Sequence, residues 1–285
     1  MSYTNRATKR AFTLIGLLIV IAIIGILFVV LLTNGNAGSD PIVPGGNGGN
    51  GGDEPDINEL IPVVPGAIFD DGTTLTWEKL QLPENGTKYG YSAGMITNTS
   101  ICDHAFANCT SLTSINIPNS VTRIETGAFY GCDSLTNVVI PDSVTHIGVS
   151  AFSGSGITSV VIPDSVTSIG DYAFAGCSGL TSVVIGDNVP YIGNNAFFTC
   201  YKLTSVVIPE SVTFIGLRAF YGCDRLTSIV IPDSVTAIGD KAFYDCSRLT
   251  DVYYTGSEEE WVEISIGNYN SYLTEAKKHY NYTHE

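Results

Sequence analysis

A pattern of apolar and polar positions recurs through the middle of the chain. One copy, residues 157–179, reads ITSVVIPDSVTSIGDYAFAGCSG. Further copies, some close and some loose, start at Leu112, Leu135, Leu180, Leu203, Leu226 and Leu249. They follow one another at intervals of 23 residues, except that the copy at Leu135 is 22 residues long. Repetition at a fixed period of this length predicts a supersecondary unit that stacks on its own copies.

Within one copy the spacing of the apolar positions changes. Val160 and Ile162 alternate with side chains that face the other way, as they do on a β-strand. Pro163 then predicts a turn, because proline lacks an N–H and fixes φ. From Val166 to Cys177 apolar residues recur at spacings of three and four, which indicates a short helical or 3₁₀ return path. The predicted fold class is an α/β repeat solenoid with one short parallel strand per 23-residue coil.

One coil cannot bury its apolar side chains alone, so the coils must stack and equivalent residues must meet. Two kinds of residue recur at fixed places and predict how the coils pack. A phenylalanine that follows an alanine, expected at the centre of the core, recurs as Phe106, Phe129, Phe152, Phe174, Phe197, Phe220 and Phe243. A small hydrogen-bonding residue, expected to tie the turns of adjacent coils together, recurs as Ser120, Ser143, Ser165, Asn188, Ser211 and Ser234.

Cysteines form a third column, three residues after the phenylalanines. They are Cys109, Cys132, Cys177, Cys200, Cys223 and Cys246, and Ser155 stands near the place of the missing one. Cysteine is among the most buried residue types, so we predict a column of core thiols. Neighbouring coils stand about 5 Å apart, so the distance also permits disulfides, which stay open as the alternative.

The consensus of the repeat, IPxSVTxIGxxAFxxCxxLTSV, resembles the BspA-like, or Treponema-type, leucine-rich repeats of bacterial surface proteins. The resemblance extends over residues 101–254. It implies a leucine-rich-repeat array that acts as an extracellular, non-enzymatic binding module. Some proteins of this kind adhere to host matrix proteins, so the resemblance also implies an extracellular protein or glycan as the partner.

The charge of the chain excludes one class of partner. The formal net charge at pH 7 is −15, and the basic residues Arg6, Lys9 and Arg10 all precede the first apolar run. The rest of the chain is therefore still more acidic. An acidic surface repels phosphate groups, so we expect no nucleic-acid partner.

An apolar segment near the start predicts a membrane anchor. Residues 11–32 read AFTLIGLLIVIAIIGILFVVLL and carry no charge. A helix of this length, at about 1.5 Å per residue, spans a bilayer. Because basic residues before the segment favour a cytoplasmic N-terminus, everything after Asn34 is expected outside the cell. The predicted localisation is the cell membrane, with a single pass and an extracellular repeat domain.

Residues 9–22 also resemble the leader of type IV prepilins, [KR]-G-F-T-L-I-E-L-L-I-V-I-A. The resemblance implies that a prepilin peptidase cleaves between Ala11 and Phe12. Gly16 stands where that family has a glutamate used in filament assembly, and residues 34–38 are expected to end the helix early. Two interpretations stay open: a minor component of a pilus or secretion machinery, or a single-span anchor that shares the leader.

The remaining boundaries follow from changes in composition. Residues 1–34 are the leader and transmembrane helix, and the Gly/Pro-rich segment 35–66 is predicted to be a disordered, flexible linker. Residues 67–100 and 255–285 flank the array at 101–254 and are expected to cap its ends. In the second of these segments, Ser257 followed by Glu260 predicts a capping box at the start of a helix.

The sequence carries no recognisable catalytic motif. Its four histidines do not recur with the repeat, so we expect no enzyme, no catalytic residues and no cofactor. Acidic residues do recur after the turn proline, as Asp142, Asp164, Asp187, Glu210 and Asp233. Aspartate suits such turns because it bonds its own backbone, and we favour this role over calcium binding. No metal site is therefore predicted.

Two surfaces are candidates for ligand binding. The strand-face column is expected to point away from the core and consists of Asn116, Val139, Val161, Val184, Val207, Val230 and Tyr253. The aromatic column follows the Ala-Phe pair and consists of Tyr130, Phe198, Tyr221 and Tyr244. A structural role stays open as the alternative for each column: strand propensity for the first, and cover of the return path for the second. As binding surfaces, they predict adhesion or recognition of a protein or glycan.

Overall fold

The computed structural model describes residues 68–69, 73, 75–76, 79–92 and 99–283. The repeats form a parallel β-solenoid of about eight coils. Among the described residues, no helix is long and apolar enough to cross a membrane. The predicted transmembrane segment 11–32, the cleavage site between Ala11 and Phe12 and the linker 35–66 lie outside the described residues.

The first series of strands opens the successive coils. It comprises β1 (Ile68–Phe69), β3 (Leu112–Asn116), β5 (Asn137–Val139), β7 (Ser159–Val161), β9 (Ser182–Val184), β11 (Ser205–Val207), β13 (Ser228–Ile231), β15 (Asp251–Tyr254) and β17 (Lys277–His279). These strands form a three-stranded sheet, β1-β3-β5, and a six-stranded sheet, β17-β15-β13-β11-β9-β7. All neighbours pair in parallel except β1, which runs antiparallel to β3.

A second series of strands follows the turn in each coil. It comprises β2 (Ser100–Ile101), β4 (Arg123–Ile124), β6 (His146–Ile147), β8 (Ser168–Ile169), β10 (Tyr191–Ile192), β12 (Phe214–Ile215), β14 (Ala237–Ile238) and β16 (Ser265–Ile266). They form two four-stranded parallel sheets, β2-β4-β6-β8 and β10-β12-β14-β16. The expectation of one strand per coil was wrong, because the backbone after the turn also pairs with the next coil.

The return path is not helical, which corrects the second prediction for the coil. Two residues in each coil have the left-handed backbone conformation, such as Tyr172 and Gly176, with φ of 60° and 70°. An α-helix cannot contain them. Instead Phe174 N–H donates to Ala196 of the next coil at 2.8 Å, while Cys177 N–H turns back to Phe174 at 3.3 Å. Bonds between coils alternate with tight turns, and this alternation produces the spacing of three and four.

Helices occur only outside the repeat coils in the described part of the chain. A short 3₁₀ helix, Lys79–Gln81, and α1, Pro83–Tyr89, precede β2. Near the other end, α2 spans Glu258–Val262 and α3 spans Ser271–Glu275. The array itself is therefore a β-solenoid rather than an α/β structure.

The phenylalanine column forms the centre of the core, as predicted. Each ring from Phe106 to Phe243 is fully buried. Successive ring centroids lie 5.1–5.5 Å apart, and the rings are within 18° of parallel. One aromatic stack therefore connects all the described coils from the first phenylalanine to the last.

The cysteine column is buried, as predicted, and each thiol has a hydrogen-bond partner. Cys200 Sγ donates to the carbonyl of Phe174 in the preceding coil at 3.2 Å, and Cys223 Sγ donates to Phe197 at 3.3 Å. Burial raises the pKa of Cys132 to about 12 and that of Cys177 to about 11. Ser155 occupies the missing place, is also buried, and lies 3.4 Å from Cys177 Sγ.

Five of the six small residues near the turns tie adjacent coils together, as predicted. The hydroxyl groups of Ser143, Ser165, Ser211 and Ser234 each donate to a valine carbonyl of the preceding coil at 2.6–2.8 Å. The side-chain amide of Asn188 donates to the Asp164 carbonyl at 2.7 Å. Threonines form a comparable ladder, since Thr181 Oγ1 donates to the Thr158 carbonyl at 2.9 Å.

Glycine recurs where the coils come closest. The residues are Gly148, Gly170, Gly193, Gly216, Gly239 and Gly267. A Cβ atom at any of them would lie 2.5–2.9 Å from an atom of the preceding coil, mostly a backbone atom. The second series of strands therefore depends on the absence of a side chain at this place.

Two irregularities in the repeat interrupt the ladders. The second series breaks between β8 and β10. Pro190 stands directly before β10, where most coils have threonine, and cannot donate to the Thr167 carbonyl. The first series breaks between β5 and β7, which are joined by the 22-residue copy.

The end of the described chain extends the array. The capping box at Ser257 and Glu260 is present, which confirms the helix start. β16 pairs with β14, and β17 pairs with β15. The strands therefore continue beyond Tyr254.

We predict that Phe174→Ala lowers the free energy of unfolding by about 3–5 kcal/mol, because it leaves a cavity in the aromatic stack. Urea unfolding of the full chain measures the change. Tyr201→Ala is the control, since this ring is 50% exposed and its loss should cost no more than about 0.5 kcal/mol. Equal stability of the two variants would contradict a core built on the phenylalanine column.

We also predict that iodoacetamide at pH 8 alkylates only Cys102 in the folded protein. Cys102 is half-buried, whereas the six column cysteines are buried and their raised pKa values keep them as unreactive thiols at this pH. Intact mass should show one adduct before unfolding and seven in urea. Rapid modification of column cysteines in the folded state would rule out a closed core.

Candidate functional site

The strand-face column presents exposed valines on the first series of strands. Side chains alternate along a strand, so Val160 is buried while its neighbour Val161 is 43% exposed. Val139 and Val207 are 57% and 42% exposed. In-register pairing aligns Val161 with Val184, Val184 with Val207, and Val207 with Val230. These four side chains therefore form one row on the six-stranded sheet.

The two ends of this column differ from its middle. Asn116 is half-buried and is paired in register with Val139. Tyr253 is also half-buried, because its ring stacks on His279 at 4.5 Å and contacts Tyr282 at 4.8 Å. We therefore restrict the candidate surface to the valine row, which consists of Val161, Val184, Val207 and Val230 on the six-stranded sheet and of Val139 on the three-stranded sheet.

Charge is concentrated at the Tyr253 end of the column. Asp251 Oδ1 lies 2.8 Å from His279 Nε2. The hydrogen bond from His279 is the main cause that lowers the pKa of Asp251, and a bond from Thr250 adds to it. On β7, β9, β11 and β13 the same face carries serine beside valine. The valine row thus offers an apolar, uncharged strip bordered by hydroxyl groups.

The structure brings together only three members of the aromatic column. Phe198 stacks on Tyr221 with ring centroids 4.9 Å apart, and Tyr221 stacks on Tyr244 at 5.1 Å. Tyr130 is separated from them, since Ser153 and Ala175 occupy the same place in the two intervening coils. The gap in the column leaves a depression between two aromatic side chains.

This depression, called here the groove, has a volume of about 550 Å³. Tyr130 and Phe198 line it from opposite ends, and Tyr172 also contributes to the lining. Sequence reasoning missed Tyr172, because it belongs to the left-handed place before the alanine, where the residue type varies from coil to coil. That variation along an otherwise repetitive sequence was the available signal.

Small residues form the floor of the groove. Gly154 and Gly176 both have φ of 70°, a conformation that favours glycine. Their N–H groups donate to carbonyl groups of the following coil, Gly154 to Ala175 and Gly176 to Phe198, both at 2.7 Å. The backbone of the floor is therefore already paired between coils.

One member of the acidic column at the turns, Asp164, bonds to the next coil. Asp164 Oδ1 accepts a hydrogen bond from the Asp187 N–H at 2.9 Å. Burial raises the pKa of Glu210, and nearby Asp233 raises it further. Within the described part of the chain, no group of histidine, cysteine and acidic side chains is arranged to hold a metal ion.

Comparison with known proteins agrees with the repeat pattern. The family described as "BspA type Leucine rich repeat region" matches in six copies, over residues 99–224 and 167–271. The family described as "Prokaryotic N-terminal methylation motif" matches residues 6–32, which include Ala11 and Phe12. No curated protein matches the chain.

Solved structures of bacterial repeat proteins are similar. A leucine-rich repeat protein from Bacteroides ovatus is 26% identical, with a TM-score of 0.48, over 80% of this chain and 65% of that one. A leucine rich cell surface protein from Faecalibacterium prausnitzii is 33% identical, with a TM-score of 0.35, over 59% and 60%. The T. pallidum leucine rich repeat protein is 31% identical, with a TM-score of 0.49, over 54% and 73%.

The chain spans just under two thirds of the length of the first two of these proteins. Its own repeat family match covers more than half of its residues. The N-terminal match accounts for the prepilin-like leader. The chain belongs to the BspA type leucine rich repeat family and carries a prokaryotic N-terminal methylation motif.

Proposed function

We propose that this chain is a membrane-anchored, non-enzymatic recognition module, which binds an extracellular protein or glycan through its repeat array. Membership of the BspA type family supports a binding or adhesion role. The observation that carries the proposal is the valine row, an apolar strip held on a rigid ladder of strands. Val139, Val161 and Val207 are exposed, while Val184 and Val230 between and beside them are half-buried. Apolar side chains exposed together on one face are typical of interaction surfaces.

The contrast between the two faces of each strand supports this role. Val183 and Val206 are 1% and 5% exposed, so one face of each strand packs in the core. Val161 and Val207, on the opposite face, contribute nothing to that core and remain over 40% exposed. The same backbone hydrogen bonds that stabilise the array therefore hold the valine row in place for a partner.

The N-terminal segment supports anchoring at the membrane. The methylation motif at residues 6–32 overlaps the uncharged run 11–32. Arg6, Lys9 and Arg10 favour a cytoplasmic N-terminus and an extracellular array. In the sequence, the segment 35–66 separates this run from the array.

A second candidate function is a minor pilin-like component of a type IV pilus or secretion apparatus. The methylation motif favours it, since the match at residues 6–32 includes the segment 9–22 that resembles a prepilin leader. Gly16 weighs against assembly, because it lacks the carboxylate that the prepilin pattern has at this place. Both functions use the same anchor and differ in what happens to its first residues.

We predict that the mature protein begins at Phe12 if the leader is processed, with loss of residues 1–11. N-terminal sequencing of protein from its native membrane distinguishes the two cases. A control variant, Ala11→Leu, places a large side chain at the cleavage site and should retain Met1. A wild-type chain that begins at Met1 would exclude processing, and with it the pilin-like function.

We predict that Val161→Glu combined with Val207→Glu lowers binding to a partner about tenfold or more, because a charge enters an apolar contact. An array of purified matrix proteins, probed with the full chain in detergent, measures the effect. Val149→Glu is the matched control, since Val149 is 45% exposed but lies outside the valine row. Equal binding by all three proteins would exclude the valine row as the contact surface.

A further inference from the structure

The groove between Tyr130 and Phe198 lies outside the valine row and has a chemistry of its own. We infer that it is a binding site for a neutral oligosaccharide. The inference rests on the proposed function only in so far as that function places the array outside the cell. This inference assigns a class of ligand to the groove, which is a different surface from the valine row.

The aromatic residues of the groove present rings suited to a sugar. Tyr130 and Tyr172 are 46% and 43% exposed, and Phe198 is half-buried. A pyranose ring has an apolar face of C–H groups, and this face packs well on a flat aromatic ring. Among the described residues, neither Tyr130 nor Tyr172 stacks on another ring, whereas Tyr221 stacks on both neighbours. The two rings are therefore available to a ligand.

The floor of the groove sets its depth and excludes one mode of peptide binding. Ser153 and Ala175 stand where neighbouring coils have aromatic side chains, so a ligand can take the place of the missing rings. The N–H groups of Gly131, Gly154 and Gly176 are bonded to the following coil at 2.7–2.8 Å. They cannot pair with the main chain of an extended peptide.

The polar residues of the lining suit hydroxyl groups. Asn108, Thr110 and Thr199 are neutral and provide both donors and acceptors. Asp133 is exposed and is the one charged residue of the lining, and its carboxylate accepts hydrogen bonds from hydroxyl groups. No lysine or arginine lines the groove. An anionic glycan or an acidic peptide therefore finds a repelling charge and no cation.

The size of the groove is compatible with a short saccharide. It is an open depression on the surface with a volume of about 550 Å³. The groove runs across several coils, since its lining extends from Asn108 to Thr199. A linear oligosaccharide can lie along this direction, with one ring on Tyr130 and another near Phe198.

The experiment titrates neutral oligosaccharides into the full chain in detergent micelles, by isothermal titration calorimetry. The probes are cellohexaose, maltohexaose and the hexamer of N-acetylglucosamine, with a heparin octasaccharide and a lysine-rich peptide as comparisons. Tyr130→Ala removes one aromatic wall. Ser153→Trp fills the groove without removing any lining ring. Tyr244→Ala removes an exposed aromatic of the same column that does not line the groove.

We expect at least one neutral oligosaccharide to bind and the heparin fragment not to bind. Tyr130→Ala and Ser153→Trp should each weaken that binding about tenfold or more, and Tyr244→Ala should leave it unchanged. Unchanged circular dichroism and unfolding midpoints would show that the variants keep their fold.

The inference is wrong if no neutral oligosaccharide binds, or if the groove variants bind as well as the wild type. It is also wrong if these variants abolish binding of the lysine-rich peptide alone, since the groove would then recognise a peptide. Its failure is separable from that of the proposed function. Matrix-protein binding that depends on Val161 and Val207 would persist in both groove variants if only the saccharide inference fails.

Discussion

The structure depends on identical side chains that meet at the spacing of adjacent coils. Phe174 contacts Phe152 and Phe197 with centroids 5.3 and 5.5 Å apart, and each ring is buried only because its neighbours cover both faces. The cysteine, serine and threonine columns also link each coil to the preceding one, in their case by hydrogen bonds. An example is the bond that Cys200 Sγ donates to the Phe174 carbonyl. Stability is therefore a sum of contacts between neighbouring coils.

This constraint also explains the surfaces. The columns that face inward must keep their residue type, because a change in one coil disturbs the two beside it. The columns that face outward are free to vary, so the aromatic column can contain Ser153 and Ala175 between Tyr130 and Phe198. The groove arises from this freedom. The valine row has the opposite character, since the same residue type repeats, and four of its members lie in register on the six-stranded sheet.

Close backbone approach imposes a second requirement. Glycine after the second strand, as at Gly170, allows a contact in which a Cβ atom would lie 2.5 Å from the preceding coil. The left-handed residues, such as Tyr172, turn the chain so that alternate N–H groups reach the next coil. Both features replace the helical return path that the spacing of apolar residues indicated.

The sequence by itself determined the period, the core columns and the small residues that link the turns, because a repeated residue in a stacked fold must meet its own copy. It also identified the family and the capping box at Ser257. Only the tertiary structure decided the second strand, the form of the return path and the separation of Tyr130 from the other aromatics. Those features depend on where the backbone groups of one coil find partners in the next, and local spacing within a single coil does not contain that information.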